Sequence, residues 1–331
     1  MTWLVWRQHR NQAYIAAAAL ALFAVVMLIT GRQMASQYHS ALISCAATHT
    51  CSDLATTLNL GSPVLFLLIN LTLLVPCLLG VFWGGPLVAR ELETGTAQFA
   101  WTQSISRSRW LAIKVGWAML AAAAWGGAVS ALVTWWSSPV NALQHQNFRA
   151  GQFDVQGIVP VSYALFAVAL GIAAGAVLRR TVPALATTIG VFVALRVVIA
   201  SYVRPHYMTA VTKTYRLAFA HPMPSIPGSY WQVSRGIVGP GGQAASSAAH
   251  SGVGVSINGT LVTLPPACNS LLSQDPPKIF SCLAAHGYRA FITYQPANRY
   301  WAFQGIEAGI FALLAAALIA VSVIVVLRRD A

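Results

Sequence analysis

Six long apolar stretches are the feature that most restricts what this chain can fold into. The sequence is 57% hydrophobic and only 8% charged over 331 residues. A soluble domain has about a quarter of its residues charged, whereas a helix that crosses a bilayer needs about 20 mainly apolar residues. The stretches that meet this requirement are 13–30, 64–83, 111–136, 158–178, 182–202 and 303–327. We therefore predict an all-α polytopic membrane protein with six transmembrane helices.

The first apolar stretch, 13–30, follows Arg7 and Arg10 and therefore imitates a secretory signal peptide. It is longer than the about 7–15 residues of a signal h-region, and no cleavage site of the A-x-A type ends it cleanly. We predict a retained membrane anchor, with cleavage as the alternative. Residues 1–12 combine tryptophan with arginine, which favours an interfacial amphipathic segment over a frayed terminus.

The distribution of lysine and arginine predicts the orientation of the spans, because cytoplasmic loops are enriched in both. One side carries ten of them on short segments: Arg7, Arg10, Arg90, Arg107, Arg109, Lys114, Arg179, Arg180, Arg328 and Arg329. The short loops of the opposite side carry only Arg32 and Arg149. Both termini are therefore predicted to be cytoplasmic. The net charge of +13 could indicate nucleic-acid binding. However, the basic residues are scattered at the ends of the apolar stretches, and this placement is better explained by membrane topology.

The long segment 203–302 is predicted to form a small, irregular extracytoplasmic domain with some β structure. The alternating pattern of 253–264 around Asn258-Gly259 predicts a hairpin, and 288–294 predicts a further strand. The Gly/Ser/Ala tract at 239–254 is expected to be flexible. The predicted divisions are the interfacial segment 1–12, spans one to five at 13–202 with a cytoplasmic segment at 84–110, this outer domain, and the last span with its tail at 303–331.

Four of the five cysteines lie in two local pairs on the predicted outer side, where oxidising conditions favour disulfides. Cys45 and Cys51 share one loop, and Cys268 and Cys282 share the other. We predict one loop-closing disulfide in each pair, with free thiols as the alternative. The remaining cysteine, Cys77, lies within the second span and is interpreted as a small apolar residue.

No motif in the sequence predicts a catalytic or metal site. The histidines lack H-x-x-x-H spacing, the cysteines lack C-x-x-C spacing, and the motifs G-x-S-x-G and H-E-x-x-H are absent. There is also no G-x-x-x-x-G-K-[ST] loop, so the chain is not expected to hydrolyse ATP by the P-loop route.

Two ionisable residues, Arg196 and Glu307, lie within predicted spans, where a charge is costly without a partner. At the helical rise, Arg196 stands about 20 Å above the inner surface and Glu307 about 6 Å below the outer surface. In a hydrocarbon core about 30 Å thick these depths nearly coincide. We predict an intramembrane Arg196–Glu307 ion pair joining spans five and six. Separate snorkelling of the two side chains to the interface is the alternative.

The segment 90–109, between spans two and three, is a concentrated polar region. Two of the three glutamates, Glu91 and Glu93, lie here beside several basic residues. If 97–109 is helical, an apolar face with Trp101 lies opposite a polar face with Arg109. Such a helix could rest on the bundle and offer its polar face to a soluble protein. A simple connector along the lipid headgroups is the alternative.

This segment resembles a known family. Arg90-Glu91-Leu92-Glu93-Thr94-Gly95-Thr96 after span two, followed by Trp101-Thr102-Gln103-Ser104 and Arg107-Ser108-Arg109-Trp110-Leu111, is similar to the E-x-E-x-G-T region of ABC-2 type transporter permeases. The segments 6–10 and 294–307 resemble an actinobacterial branch of these permeases. The large loop between spans five and six departs from the simpler members.

The resemblance implies a permease that binds no cofactor itself and is driven by two separate ATP-binding subunits, which hold ATP and Mg²⁺. It also implies a homodimer, or a heterodimer with a similar permease, embedded in the lipids of the cell membrane and exporting substrate by alternating access. Glu91, Glu93, Gly95 and Thr96 correspond to the motif that couples the permease to the ATPase. The amphipathic pattern adds three further candidates, namely Trp101, Arg107 and Arg109.

Three other classes of function are weighed against this one. A mechanotransmission or sensor complex would bind a ligand or partner through the outer domain without transport, and a substrate flux assay separates it from an exporter. An ion-coupled carrier would need acidic residues near the middle of the bilayer, where Glu307 does not lie. A membrane-bound enzyme would need a catalytic constellation.

Overall fold

In the computed structural model the chain forms two compact units, which are described separately. The helical unit comprises Met1–Tyr207 and Tyr300–Ala331, and the sheet unit comprises Met208–Arg299. The structure describes residues 2–48, 63–95, 106–139, 141, 148, 150–217, 230–241, 254–257, 260–263, 265–268 and 276–328.

Most of the described residues are helical. In chain order the helices are α1 (Thr2–Thr48), α2 (Pro63–Leu79, a π turn at Gly80–Gly84, and Gly85–Glu93), α3 (Arg107–Trp136), α4 (Ala150–Phe153), α5 (Val159–Leu178), α6 (Thr181–Val198, a π turn at Ile199–Val203, and a 3-10 turn at Arg204–His206), α7 (Pro276–Ala285) and α8 (Tyr300–Arg328). Within the described part of the chain, six helices are long and apolar enough to cross a membrane, as many as predicted: α1, α2, α3, α5, α6 and α8.

Helix α5 lies at the centre of the helical unit, where it packs against α2, α3, α6 and α8. Most of its side chains are buried, including Tyr163, Phe166 and Ile172. A helix that is apolar around its whole circumference is suited to the interior of a bundle rather than to its surface. The composition of this span therefore explains its central position.

Glycines bring α2 and α5 into backbone contact. A Cβ atom added at Gly80 would lie 2.4 Å from the carbonyl oxygen of Ala167, and one added at Gly171 would lie 2.4 Å from the carbonyl oxygen of Gly80. One turn further along each helix, the corresponding distances at Gly84 and Gly175 are 2.5 Å and 2.8 Å. Small residues four positions apart are the pattern that lets membrane helices approach closely. The two helices therefore interlock, with no room for a side chain at these positions.

Helix α1 is longer than predicted. The sequence indicated a polar loop directly after Thr30, whereas the helix continues without a break from Thr2 to Thr48. Thr30 Oγ1 accepts a hydrogen bond from Trp136 Nε1 of α3 at 2.9 Å. The serines that follow satisfy their hydroxyls on backbone carbonyls about one turn earlier, so they remain compatible with a helix. The interfacial position of residues 1–12, at the start of this helix, stays a prediction.

The sheet unit contains a three-stranded antiparallel sheet in the order β1-β5-β2 and a two-stranded antiparallel hairpin, β3-β4. The strands are β1 (Val211–Arg216), β2 (Tyr230–Val238), β3 (Gly254–Ile257), β4 (Thr260–Thr263) and β5 (Arg289–Pro296). On β5, Tyr294 pairs with Val211 of β1 and Ile292 pairs with Arg235 of β2.

Two sequence predictions for the sheet unit are confirmed and others were missed. The hairpin predicted at 253–264 forms as β3-β4, and the strand predicted at 288–294 forms as β5. Strands β1 and β2 and helix α7 were not predicted. The core of the unit consists of Leu217, Ile237, Cys268, Ile279, Leu283 and Ala290. Within the Gly/Ser/Ala tract, residues 242–253 lie outside the described part of the chain.

Candidate functional site

Four charged side chains alternate in sign inside the helical unit, in the order Arg196, Asp154, Arg204 and Glu307. Arg204 binds both carboxylate oxygens of Glu307, with Nη2 2.6 Å from Oε1 and Nε 2.8 Å from Oε2. The same Nη2 donates to Asp154 Oδ1, and Asp154 Oδ2 lies 3.0 Å from Arg196 Nη2. The two positive and two negative charges cancel. We call these four side chains the ionic network.

The centre of the ionic network is withdrawn from solvent. Glu307 is 0% exposed and Arg204 is 2% exposed. Tyr163 OH donates to Glu307 Oε1, and Tyr207 OH donates to Glu307 Oε2 at 3.2 Å. Burial, reinforced by the negative charge of Glu307, raises the pKa of Tyr207, so its hydroxyl remains a donor. Bidentate pairing with added hydrogen bonds offsets the cost of removing a carboxylate from water.

Aromatic rings complete the surroundings of the two guanidinium groups. Arg204 Cζ lies 4.6 Å from the centroid of the Phe153 ring, and Arg196 Cζ lies 4.8 Å from that of Tyr163. Arg196 Nη1 also donates to the carbonyl oxygen of Leu73 in α2 at 3.1 Å. Cation–π contacts strengthen when both partners are desolvated. The ionic network is therefore stabilised from α2, α5, α6 and α8.

The predicted Arg196–Glu307 ion pair is wrong in its partners. Glu307 binds Arg204, and Arg196 binds Asp154. Arg204 was assigned to the outer loop because span five was predicted to end at Tyr202. In the structure, the π turn and the 3-10 turn at the end of α6 carry Arg204 into the bundle. A proline next to Arg204 and an acid directly before span four were the sequence signals that could have indicated the correct pairing.

Gln304 joins α8 to the first turn of α5. Its Oε1 accepts hydrogen bonds from the backbone N–H groups of Ile158 and Val159, both at 3.0 Å, and its Nε2 donates to the carbonyl oxygen of Phe153 at 3.0 Å. The first amides of a helix have no intrahelical acceptor. Gln304, itself 0% exposed, supplies that acceptor from a neighbouring helix. It stands one turn from Glu307, so one face of α8 holds both α5 and α6.

A cavity adjoins the ionic network between α2, α3, α5 and α6. Asp154 and Arg196 line it together with apolar residues such as Leu79, Val129 and Ala164. Its volume of about 10 Å³ has room for a single water molecule. In this conformation the cavity therefore does not accommodate a transported molecule.

At the opposite end of α6, Glu91 and Glu93 both bind residues of neighbouring helices in the same chain. Glu91 forms a salt bridge with Lys114 of α3, whose side chain is 4% exposed. Glu93 Oε2 accepts hydrogen bonds from Thr181 N–H at 2.9 Å and from Thr181 Oγ1 at 2.7 Å. Thr181 is the first residue of α6, so Glu93 caps that helix. The negative charge of Glu93 also interacts favourably with the positive N-terminal end of the helix dipole. The last turn of α2 is thereby fastened to α3 and α6.

The structure describes three of the five remaining residues that were predicted to couple the chain to the ATPase. Gly95, which follows α2, has φ +71°, a left-handed conformation that glycine adopts without strain. Arg107 is half-buried in the first turn of α3, and Arg109 is exposed. The α3 helix is capped by Ser106 Oγ, which accepts from Arg109 N–H at 3.4 Å. Thr96 and Trp101 lie outside the described residues. A coupling role for all of these residues stays a prediction.

One of the two predicted disulfides is observed. Cys268 and Cys282 are bonded, with their Cα atoms 6.0 Å apart, which confirms that pair. His286 Nδ1 lies 3.9 Å from each of the two sulfur atoms. Cys45 lies on α1 but its side chain is not described, and Cys51 lies outside the described residues. The Cys45–Cys51 disulfide therefore stays a prediction.

Comparison with known proteins identifies the chain by family. Residues 17–204, more than half of the chain, match the family model described as ABC-2 membrane transporter related. No curated protein and no solved structure matches the chain. The matched region contains Glu91 and Glu93 as well as Asp154, Arg196 and Arg204. The resemblance predicted from the E-x-E-x-G-T segment is thus confirmed, while the actinobacterial branch stays a prediction. The chain is a multi-pass membrane protein and belongs to the ABC-2 membrane transporter related family of ABC transporter permeases.

Proposed function

We propose that this chain is the membrane-spanning subunit of an ATP-driven exporter. Separate ATP-binding subunits, in two copies, bind ATP and Mg²⁺ and drive it from the cytoplasm through the segment 94–109. The observation that carries the proposal is the pair of contacts at the end of α2. Glu91 with Lys114 and Glu93 with Thr181 connect the start of that segment to two further membrane helices.

These contacts suggest how force enters the bundle. A displacement of the segment after Gly95 acts first on the last turn of α2, where Glu91 and Glu93 lie. Because Glu91 binds α3 and Glu93 caps α6, the three helices move together at this end. The family resemblance assigned both carboxylates to the motif that couples the permease to the ATPase. We now propose that they transmit the motion within the permease, and that exposed residues such as Arg109 face the ATPase.

The interior contacts favour motion of the helical unit as one body. The interlocked glycines, Gly80 and Gly171 among them, oppose sliding of α2 along α5. The Arg204–Glu307 pair opposes separation of α6 from α8. The cavity beside the ionic network has room for only one water molecule. We therefore propose that the transport pathway opens between this chain and a second permease, either an identical copy or a similar chain.

The test uses the complex of this chain with its ATP-binding subunits, reconstituted in lipid nanodiscs. The double variant Glu91→Gln, Glu93→Gln keeps similar side-chain volumes but weakens both contacts. We expect the ATP-binding subunits still to copurify. Stimulation of their ATP hydrolysis by the permease should fall about fivefold or more, the fold-change that corresponds to the lower end of usual coupling free energies. Arg328→Gln, an exposed charge at the end of α8, serves as the matched control. Unchanged stimulation in the double variant contradicts the proposed coupling.

A mechanotransmission complex is the second candidate, because the sheet unit is a structured domain with its own core and a disulfide. In such a complex ATP hydrolysis changes the conformation of the outer domain without moving a substrate. Replacement of the sheet unit by a short linker between residues 207 and 300 separates the candidates. An exporter retains ATP-dependent uptake of a lipophilic dye into inside-out vesicles, whereas a mechanotransmitter shows no such flux with or without the sheet unit.

A further inference from the structure

Three side chains of the sheet unit direct metal-ligating atoms toward one point. Among the described residues, Cys268, Cys282 and His286 are the group of cysteine, histidine and acidic side chains whose ligand atoms all lie within 4.8 Å of one another. His286 Nδ1 is equidistant from the two sulfur atoms, at 3.9 Å. In a tetrahedral zinc site, bond lengths of about 2.3 Å to sulfur and about 2.0 Å to nitrogen place the two ligand atoms about 3.6 Å apart. The observed separation is only a few tenths of an ångström longer.

His286 is positioned by the end of helix α7 rather than by the disulfide. Gly287, with φ +83°, ends the helix in a left-handed conformation. Its N–H donates to Ala284 O at 3.2 Å, and Tyr288 N–H donates to Leu283 O at 3.0 Å. These two bonds form the Schellman motif, in which His286 is the C-cap residue. The imidazole therefore stands one turn after Cys282 on the same side of the helix.

The two cysteines are also held by structure other than their mutual bond. Cys268 ends a 3-10 turn in which its N–H donates to Pro265 O at 2.8 Å, and its side chain is 0% exposed in the core of the sheet unit. Cys282 is half-buried on α7, and His286 is exposed. The three ligands therefore have one buried side and one side open to solvent. Packing of α7 through Ile279 and Leu283 keeps Cys282 near Cys268.

We propose that these three side chains form a redox-gated Zn²⁺ site, with Cys268 Sγ, Cys282 Sγ and His286 Nδ1 as ligands and a fourth position open to water. A dithiol reductant opens the disulfide to two thiols and is itself oxidised to a disulfide. Zn²⁺ then displaces both thiol protons and binds the two thiolates. Two thiolates and one imidazole with an open position are a known ligand set for zinc.

Binding requires one further change at His286. In the structure Nδ1 lies 2.9 Å from the carbonyl oxygen of Cys282 and donates to it in the tautomer with the proton on Nδ1. For Nδ1 to bind a metal, the proton must be on Nε2, which is the ordinary alternative tautomer of a neutral imidazole. The oxidised and metal-bound states exclude each other, because the disulfide uses both sulfur atoms. The site is independent of the proposed transport function.

The arrangement of the three ligands along the chain explains why the sequence contains no metal-binding motif. Cys282 and His286 form a C-x-x-x-H pair within one helical turn, but the third ligand precedes Cys282 by 14 residues. Only the folding of the 3-10 turn against α7 brings Cys268 to the pair. The sequence alone therefore suggested a disulfide but no metal site.

The experiment uses the full chain in detergent with Cys45, Cys51 and Cys77 replaced by serine, so that the two ligand cysteines are the remaining thiols. The protein is reduced with a phosphine, freed of reductant without oxygen, and titrated with Co²⁺ as a spectroscopic probe. We expect one Co²⁺ per chain, with a thiolate-to-cobalt charge-transfer band that disappears when one equivalent of Zn²⁺ is added. The oxidised protein is expected to show no such band.

His286→Asn tests the ligand set and keeps a polar C-cap residue. We expect it to lose stoichiometric Zn²⁺ binding, whereas His206→Asn, an exposed histidine of the helical unit, keeps it. Circular dichroism of each variant shows whether the chain remains folded, and the unsubstituted chain is titrated in parallel. Absence of the charge-transfer band in folded, reduced protein overturns the proposal. Equal Zn²⁺ affinity in the His286→Asn variant and its parent also overturns it.

Discussion

The two ends of helix α6 hold charged groups in opposite ways. At the network end, Arg204 and Glu307 are almost completely buried. At the coupling end, formed by Glu91, Glu93, Lys114 and Thr181, Glu93 is exposed where it binds Thr181, whereas the Glu91–Lys114 pair beside it is largely buried, with side chains 19% and 4% exposed. The ends are about 35 Å apart at 1.5 Å per residue, more than the thickness of a bilayer core. Helix α6 thus has a buried ion pair at one end and a solvent-exposed contact at the other.

Because the two ends differ in solvation, we expect one to contribute mainly to folding stability and the other to coupling with the ATPase. A buried charge pair is expensive to break, because each partner left alone loses both water and its counter-ion. A solvated contact costs little to break and is therefore suited to a place where a partner subunit moves the chain. We expect substitutions at the network end to change mainly stability, and substitutions at the exposed Glu93–Thr181 contact to change mainly ATPase coupling.

The largest effect is expected from removing one member of the central pair. Arg204→Leu or Glu307→Leu leaves an uncompensated charge in the bundle and should each lower the free energy of unfolding by about 3–5 kcal/mol. The double variant should recover much of this loss, because no lone charge remains. Chemical unfolding in detergent measures all three proteins. Purely additive losses would contradict a direct interaction between the two side chains.

The next effect concerns the backbone contact that links α2 to α5. At Gly171 an added methyl group would lie 2.4 Å from a carbonyl oxygen, whereas at Gly190 nothing lies within 4 Å. Gly171→Ala should therefore destabilise the protein by about 1–3 kcal/mol through overpacking. Gly190→Ala should be neutral or slightly stabilising, since alanine favours helix. Thermal unfolding of the two variants in the same detergent provides the measurement, and equal effects would argue against interlocked helices.

A smaller effect on stability is expected at the coupling end. Thr181→Val removes the hydroxyl that donates to Glu93 but leaves the backbone N–H bond, so the loss should be about 1 kcal/mol or less. Thr181→Ser retains the hydroxyl and serves as the control. Stimulation of ATP hydrolysis by the permease should nevertheless fall in Thr181→Val and persist in Thr181→Ser. Full stimulation of ATP hydrolysis in Thr181→Val would contradict the proposed functional difference between the two ends of α6.

The smallest effect is expected from salt. The Debye length shortens from about 10 Å at 0.1 M to about 3 Å at 1 M, which screens exposed charges much more than buried ones. The stability difference between the parent and Glu93→Gln should therefore shrink as salt is added. The difference between the parent and Glu307→Leu should stay nearly constant. Unfolding curves at several salt concentrations measure both, and a large salt response at Glu307 would indicate that water reaches the ionic network.

Particular residues show where sequence reasoning succeeded. The spans followed from runs of apolar residues, and the β3-β4 hairpin followed from Asn258-Gly259 between alternating segments. Cys268 and Cys282 were paired because they share one predicted outer loop. Each of these inferences depends on neighbours along the chain. Residues that are close in sequence stay close in any fold, so local patterns retain their meaning.

The same reasoning failed where partners lie far apart in sequence. Arg196 and Glu307 were matched by their depth alone, but depth does not specify which face of a helix a side chain occupies. The turns at the end of α6 bring Arg204 to Glu307. The segment before α5 brings Asp154 to Arg196 and Arg204. The glycine contacts between α2 and α5 likewise involve Gly80 and Gly171, which only the bundle brings together.

The sequence by itself determined that this protein crosses a membrane, which stretches are long and apolar enough to do so, and which family its polar segment after span two resembles. Those properties depend on composition and on short motifs, because the bilayer selects apolar runs of sufficient length. The tertiary structure decided the partner of each charge. It joined Glu307 to Arg204, Glu91 to Lys114 and Glu93 to Thr181, since pairing inside a bundle depends on helix rotation and on close backbone approach, which no local pattern specifies.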